Sequence, residues 1–235
     1  MYRNLLGDQW YEQLNGFIHQ GYLTEIAKKV NLERKKKNVI PEKGSKLMFK
    51  AFRETPYNSV KVIILGQDPY HTIENGRCVF DGLAFSNSAS LKPQPSLKNI
   101  LEEVERDVYD GFKLDRIAKL SLYSWAHQGV LLVNTSHSVA KGSPGSHLAL
   151  WKPFTLKVIE ALNRKNDIVW LLWGGKSLAF KKYITNPSHA VIGTSHPSPL
   201  AVNKPVQGYP PFKESGCFSK VNEELEMRNK SKIMW

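Results

Sequence analysis

Four short runs of continuous apolar residues constrain the fold of this chain most strongly. The runs are 60–65 (VKVIIL), 130–133 (VLLV), 168–173 (IVWLLW) and 190–192 (AVI). None of them alternates cleanly between polar and apolar residues, and continuous β-branched and leucine runs are typical of parallel strands that are buried on both faces. Helical patterns lie between the runs. We therefore predict an α/β fold with a central four-stranded parallel sheet and helices on both faces.

The predicted helices have apolar residues at helical spacing. Their faces are formed by Trp10, Leu14 and Ile18; by Leu97, Ile100, Leu101, Val104 and Val108; by Trp151, Phe154, Val158, Ile159 and Leu162; and by Phe218, Val221 and Leu225. Ser96 is a candidate N-cap, and a further helix is predicted over 120–127, ending before Gly129. With 235 residues and no repeat or linker, the chain is predicted to be one domain over 1–235.

The charge balance indicates a polyanionic partner. Lysine and arginine number 33 against 21 aspartates and glutamates, which gives a net charge of +12. Charge on that scale favours nucleic acid, because each neutralised phosphate releases a counterion. The run 33–37 (ERKKK) is predicted to be a helix end or a solvated turn rather than a binding patch.

The chain has two cysteines, Cys78 and Cys217, and this number limits the metal sites it can form and indicates its redox compartment. They are too few for an iron–sulfur cluster or a four-cysteine zinc site, and they do not make a disulfide framework. No stretch is long and apolar enough to act as a signal or to cross a bilayer. We expect an intracellular, cytoplasmic protein, with a nuclear or viral-host compartment left open.

Small, polar or proline-fixed residues follow all four predicted strands. The segments are 66–71 (GQDPYH), 134–137 (NTSH), 174–177 (GGKS) and 193–200 (GTSHPSPL). Open parallel sheets bind ligands at the carboxyl ends of their strands. The pattern therefore predicts one shared site that is assembled from four loops.

Three of these segments carry a family resemblance. The motifs 66–71 (GQDPYH), 131–135 (LLVNT) and 196–200 (HPSPL) resemble the signature motifs of the family 1 uracil-DNA glycosylases. The resemblance covers roughly residues 38–235. It implies an enzyme that flips uracil out of DNA and hydrolyses the N-glycosidic bond with an Asp-activated water, leaving an abasic site for base excision repair. It also implies a monofunctional monomer without lyase activity, metal or cofactor. The implied partners are single- or double-stranded uracil-containing DNA and a proteinaceous uracil-glycosylase inhibitor.

The resemblance assigns catalytic roles to Asp68 and His196. Asp68 would orient the attacking water and stabilise the developing sugar cation, tasks that suit a carboxylate. His196 would donate a hydrogen bond to uracil O2 as negative charge grows on the leaving base. Without the motifs, an aspartate that caps its own turn and a loop histidine satisfied by backbone are the ordinary alternatives.

Four further residues would form the uracil pocket. Asn134 has the donors and the acceptor that match uracil O4 and N3–H. Phe85 would stack on the flipped base, Tyr70 would exclude the thymine methyl, and Gln67 would line the pocket largely through its backbone. The structural alternatives are a strand-end turn for Asn134 and a core position for Phe85.

Leu200 would be the wedge that fills the vacated stack, with burial under its loop as the alternative. The other implied DNA contacts are hydroxyls, backbone amides and one charge: Ser96, Gly174, Gly175, Ser198 and Lys204.

The chain departs from the family pattern at several places. The segment 72–82 is longer than usual, Gly175 replaces a serine, and 206–215 is expanded. Ser136 and His137 stand where apolar residues are typical. These departures leave affinity, strand preference and inhibitor sensitivity open.

Two other functions remain open at this point. One is a DNA-binding accessory protein that keeps the fold without the chemistry, which release of free uracil would exclude. The other is a phosphate-binding enzyme, because 174–177 (GGKS) resembles the end of a P-loop, although Trp170 stands at the position of its first glycine.

Overall fold

The computed structural model describes residues 1–74, 76–88, 90, 92–115 and 118–235. Its strands are β1 (Val39–Ile40), β2 (Val62–Gly66), β3 (Ile73–Glu74), β4 (Arg77–Cys78), β5 (Val130–Asn134), β6 (Val139–Ala140), β7 (Val169–Trp173) and β8 (Ala190–Thr194). Its α-helices are α1 (Tyr2–Leu6), α2 (Asp8–His19), α3 (Tyr22–Arg34), α4 (Lys50–Glu54), α5 (Pro95–Val108), α6 (Tyr123–His127), α7 (Leu148–Leu162), α8 (Gly174–Leu178) and α9 (Cys217–Met227). Short 3-10 turns lie at Lys46–Phe49, Tyr57–Ser59, Ala118–Leu120 and Lys181–Tyr183.

The central sheet has four parallel strands in the order β5-β2-β7-β8. In the register, Val62 lies between Val130 and Val169. Every residue of β2, β5 and β7 is buried, which is why these runs are continuously apolar. The predicted sheet is confirmed, and three of its strands extend beyond the apolar runs, to Gly66, Asn134 and Thr194.

Helices cover both faces of this sheet. Leu65 and Trp170 lie against Val158 of α7 on one face. Successive strand residues point to opposite faces, so Trp173, three positions after Trp170, points to the other. There its ring packs edge-on against Phe218 of α9, with centroids 6.0 Å apart. The predicted apolar faces of α7 and α9 thus cover the two faces of the sheet.

Two helix predictions need correction. Ser96 does not cap α5: Gln94 is the N-cap, Pro95 occupies the first helical position, and Ser96 is already inside the first turn. Proline is favoured at that first position because its fixed φ suits the helix and its missing N–H has no helical partner there. The segment 120–127 is not one helix, since a 3-10 turn ends at Leu120 before α6 begins. The run 33–37 is a helix end as predicted, because α3 ends at Arg34.

The long 72–82 segment contains a small hairpin, in which β3 pairs with β4 and Ile73 lies opposite Cys78. Asn75 of this segment lies outside the described residues. Glu74 ties the hairpin to the start of α5, because its carboxylate accepts hydrogen bonds from Ser90 Oγ at 2.6 Å and Gln94 Nε2 at 2.9 Å. The extra residues are therefore attached beside the carboxyl edge of the sheet.

The hydrophobic core includes residues from Leu6 in α1 to Trp235 at the C-terminus. Trp10 Nε1 donates to the Thr55 carbonyl at 2.9 Å, and Trp235 packs edge-on against Trp125 at 5.0 Å. Both chain ends thus pack on the same core as the sheet. None of the described helices is long and apolar enough to cross a membrane.

Candidate active site

A pocket of about 150 Å³ opens at the carboxyl edge of the sheet. Its lining residues come from the ends of β2, β5 and β8, the 80–85 loop and α5: Gln67, Asp68, Pro69, Tyr70, His71, Phe80, Leu83, Phe85, Ser96, Asn134 and His196. The structure thus brings together all six residues to which the sequence assigned catalysis or uracil binding.

Asp68 is held by two donors at one carboxylate oxygen. The backbone amide of Gly145 and Gln67 Nε2, the latter at 3.1 Å, both donate to Asp68 Oδ2. Among the described residues, Oδ1 accepts no hydrogen bond. The carboxylate is therefore fixed in orientation while one oxygen keeps its capacity to accept from a water.

Asn134 ends β5 with only 7% of its surface exposed. Its amide makes no hydrogen bond to any described part of the chain. A buried amide is normally paired, so an unpaired one that lines a pocket is suited to pair with a ligand. Its partner strand makes room for it: a Cβ atom on Gly66 would lie 2.1 Å from Asn134 Oδ1.

His196 has a defined tautomer. The backbone N–H of Ser198 donates to His196 Nδ1 at 3.0 Å, so Nδ1 is the acceptor and the neutral ring carries its proton on Nε2. Burial, and secondarily the charge of Lys176, lowers the pKa of His196 to about 4. The ring is therefore neutral at physiological pH, with an Nε2–H donor. Gly174 lets the histidine approach, since a Cβ there would lie 2.8 Å from His196 Cβ.

Phe85 sits on a loop that Asp81 holds in place. Asp81 accepts hydrogen bonds from Ser86 Oγ at 2.6 Å and from the backbone amides of Leu83 and Ser88 at 3.2 and 3.0 Å. Phe85 itself has φ of +66°, a conformation that non-glycine residues adopt at a cost. Such strain persists only where the surroundings impose it, and here it presents the aromatic ring to the pocket.

Tyr70 forms a fixed wall of the same pocket. Its hydroxyl donates a long hydrogen bond to the Phe85 carbonyl at 3.4 Å, and burial raises its pKa, so the phenol stays protonated. Its ring packs against the buried cluster of Ile40, Phe80 and Val139, so it cannot easily move away from a bulkier base. Gln67 also lines the pocket, and its carbonyl is already paired within the chain, because it accepts from Thr135 Oγ1 and from the Ser136 amide, both at 2.9 Å.

The predicted DNA contacts surround the pocket more loosely. Leu200 is 84% exposed, so it is not buried under its loop. Ser198 lies two residues before it, half-buried, and Lys204 is exposed. The loop is braced from α5, where Asn99 Nδ2 donates to the Pro197 carbonyl at 2.7 Å.

The sequence predicted a loop at 174–177. In the structure this segment is instead the beginning of α8, directly after β7. No loop separates this strand from the helix, so the cradle that a P-loop forms around phosphates is missing there. The amide of Gln207 lies 3.2 Å from the position of a Cβ on Gly175, and a serine there would have to displace it. The expanded 206–215 segment therefore packs against the site of the missing serine.

Sequence reasoning missed four residues that shape the site: Gly66, Asp81, Gly145 and Lys176. Asp81 precedes a glycine, which is a turn signal, and Lys176 lies in a noted segment. Gly145 had no signal, because its contact with Asp68 joins residues 77 positions apart.

Comparison with known proteins identifies the family. A family model described as the uracil DNA glycosylase superfamily matches residues 52–226. The chain belongs to the uracil DNA glycosylase superfamily. Within it, uracil-DNA glycosylase 1 of Listeria innocua is 41% identical over 228 residues, which cover 96% of both chains. The uracil-DNA glycosylase of Caenorhabditis elegans is 37% identical over 235 residues, covering 98% of this chain and 78% of that protein.

Solved structures of the superfamily share the fold. The crystal structure of mimivirus uracil-DNA glycosylase matches with a TM-score of 0.88 and 26% identity, covering 99% of this chain and 88% of that one. A variant of the mimivirus protein in complex with UGI matches with a TM-score of 0.90 and 26% identity, covering 99% and 90%.

Proposed function

We propose that this chain is a uracil-DNA glycosylase, a monofunctional hydrolase that removes uracil from DNA and leaves an abasic site. The observation that carries the proposal is the unpaired Asn134 amide in a pocket that also holds Asp68 and His196. An amide to read the base, a carboxylate to activate water and a neutral imidazole donor meet within about 150 Å³. Family membership supports the same function.

Uracil recognition follows from the shape and the hydrogen-bonding groups of the pocket. The Asn134 side chain accepts from uracil N3–H and donates to O4, while cytosine offers the opposite pattern. Phe85 stacks on the flipped base. Tyr70 stands as a rigid wall against the C5-methyl of thymine, which a merely fitting apolar pocket would reject by only about 1–3 kcal/mol.

The chemical step uses Asp68 and His196. A water oxygen, oriented by Asp68, attacks the sugar C1′ while the bond from C1′ to uracil N1 breaks and its electron pair leaves with the base. Asp68 accepts the water proton and opposes the positive charge of the sugar in the transition state. His196 Nε2–H donates to uracil O2, where the leaving group gains negative charge. No metal or cofactor takes part in this proposal, and none of the described residues that line the pocket is a lysine that could form a Schiff base.

DNA binding involves a wedge and phosphate contacts. Leu200, exposed at the loop tip, fills the gap in the stack after the base leaves. The proposed phosphate contacts combine hydroxyls, backbone amides and a lysine: Ser96, Gly174, Gly175, Ser198 and Lys204. A proteinaceous inhibitor is a second proposed partner, because a variant of the mimivirus protein is in complex with UGI. We further propose that the chain is a monomeric single domain that acts in the compartment holding its DNA substrate.

The decisive experiment is a base-release assay. Oligonucleotides with a single uracil, thymine or cytosine are incubated with the protein, in single- and double-stranded form, and free base is measured. We expect release of uracil alone, with strand breakage only after alkali treatment of the abasic product. DNA binding without release from any substrate would instead support the accessory-protein function.

A further inference from the structure

A second cleft, of about 320 Å³, opens beside the uracil pocket on the other side of the end of β5. Asn134 lines the pocket and the next residue, Thr135, lines the cleft, so a single backbone step separates the two. This wall is fixed. Thr135 Oγ1 donates to the Gln67 carbonyl at 2.9 Å, and the Thr135 carbonyl accepts from Thr155 Oγ1 at 2.7 Å.

The cleft combines an apolar floor with a positive rim. The floor includes the side chains of Leu148, Phe180 and Tyr183. The centroids of the Phe180 and Tyr183 rings lie 6.2 Å apart. Its charged lining residues are Lys152, Lys176 and Lys182, with no acidic side chain among them. Within the described part of the chain none of these lysines has an ion-pair partner. Lys182 Nζ lies 5.2 Å from the centroid of the Tyr183 ring, so its charge is engaged with the floor, whereas the charges of Lys152 and Lys176 are left for an anionic ligand.

Lys176 connects this rim to the catalytic edge. Its Nζ lies 3.7 Å from the position of a Cβ on Gly145, whose amide holds Asp68. The positive rim of the cleft therefore lies next to the loop that holds Asp68, within reach of DNA whose uracil occupies the pocket.

We propose that the cleft binds one nucleotide of single-stranded DNA that flanks the flipped uracil, with its base stacked on the Phe180 ring and its phosphates against the lysines. The inference rests on the proposed glycosylase function and deepens it. Aromatic platforms combined with a positive groove are how proteins hold single strands, because every base has a face to stack. A base in duplex DNA is paired and stacked, so the subsite would favour single-stranded substrate.

The first test removes the rim charges. The double variant Lys152→Gln/Lys182→Gln is compared with Lys28→Gln/Lys157→Gln, a control that removes two exposed lysines from α3 and α7, each paired with a glutamate. On single-stranded DNA, the rim variant should raise KM and make the slope of log affinity on log salt shallower by about 1.4, which corresponds to two lost phosphate contacts. The control should keep the wild-type slope. Equal slopes for all three proteins would overturn the proposal.

The second test locates the base. Single-stranded oligonucleotides carry one uracil and an abasic spacer at one flanking position at a time. For the wild type, a spacer at one position should weaken binding about fivefold or more, the lower end for a base stacked on an aromatic ring. Phe180→Leu keeps an apolar side chain without the aromatic face, so it should bind more weakly and be insensitive to the spacer at that same position.

The outcomes separate the two hypotheses. If the wild type releases no uracil from any oligonucleotide, the glycosylase function itself is wrong. If it releases uracil but no flanking spacer matters, or if Phe180→Leu keeps the same spacer sensitivity as wild type, the glycosylase stands and the subsite is wrong.

Discussion

A Cβ atom on Gly66 would lie 2.1 Å from Oδ1 of Asn134 and 2.9 Å from Cβ of Ala84. Gly66 and Asn134 are register partners at the ends of β2 and β5. Asn134 therefore keeps its position in the pocket only because its neighbour has no side chain. This relationship makes the reading of the base depend on a residue that carries no functional group.

Gly66→Ala should consequently lose at least tenfold in kcat/KM for uracil release while the protein still folds. The added methyl group must push the Asn134 amide out of its place, which a base-release assay measures directly. Gly16→Ala in α2 is the matched control, since a Cβ there meets nothing within 4 Å. It should keep full activity and gain up to about 1 kcal/mol of stability. Full activity in Gly66→Ala would show that the position of Asn134 is not critical.

Asn134→Asp should lose much of the uracil activity and gain weak cytosine release. The amide N–H of Asn134 opposes the amino donor of cytosine, and a buried unpaired donor costs about 1–3 kcal/mol. A carboxylate instead accepts from cytosine N4. Thymine should remain excluded, because the Tyr70 wall is independent of the amide. The assay uses oligonucleotides with a single uracil or a single unpaired cytosine, and an unchanged uracil preference would make Asn134 a structural strand-end residue.

Asp68→Asn and His196→Ala should each reduce kcat while DNA binding stays measurable, because both residues act on charge that forms in the transition state. Loss of one donor to a developing oxyanion typically lowers kcat about 100- to 1,000-fold, which is the expectation for His196→Ala.

Since the pKa of His196 is lowered to about 4, its protonation should not reduce kcat between pH 7 and pH 5. Single-turnover rates across this range test the claim, and near-wild-type turnover in either variant would refute that residue's role.

Leu200→Ala should slow uracil release from duplex DNA more than from single strands. A wedge is useful only where a stack must be filled, and unstacking costs a few kcal/mol. The side chain is 84% exposed, so thermal stability should not change. Met227→Ala, at a 69% exposed position on α9, controls for removing a surface apolar group. Equal losses on both substrates would assign Leu200 a different role.

Acid should destabilise the fold through His137. This ring is buried among Phe49, Phe52, Trp151 and Phe154, with its Nδ1 3.1 Å from the Met48 carbonyl, and burial lowers its pKa to about 4. In the unfolded chain the His137 imidazole is protonated near pH 6.5, whereas in the folded chain it is protonated only near pH 4. The free energy of unfolding should thus fall as the pH drops from 6.5 to 4, by at most about 3 kcal/mol from this group.

Denaturant unfolding at several pH values measures this loss. His137→Gln keeps a donor for the Met48 carbonyl but does not titrate, so its stability should depend less on pH over that range. His127→Gln, at an exposed position, controls for the loss of a histidine side chain as such. The same pH dependence in all three proteins would contradict the assignment.

The sheet and the location of the site were predictable because both depend on local pattern. Strands that are buried on both faces must be continuously apolar, and the polar residues that follow them must then meet at one edge, since the strands are parallel. Asp68 and Asn134 each follow such a run, and His196 follows the apolar residues of β8, which are only partly buried; the shared pattern is why sequence alone grouped the three. The motif resemblance then supplied roles that residue type alone could not distinguish from turn capping.

Only the tertiary structure decided how those residues are held. The Gly145 amide reaches Asp68 from a loop 77 residues away, and no local pattern encodes a contact at that separation. The tautomer of His196 depends on the path of the backbone at Ser198. The strained backbone conformation of Phe85 depends on the hydrogen bonds that the Asp81 carboxylate accepts. The cleft beside Thr135 is lined by residues of α7 and α8, which are brought together only in the folded chain. Sequence determined which side chains were present at the edge, whereas three-dimensional packing determined their orientation, their charge state and the space between them.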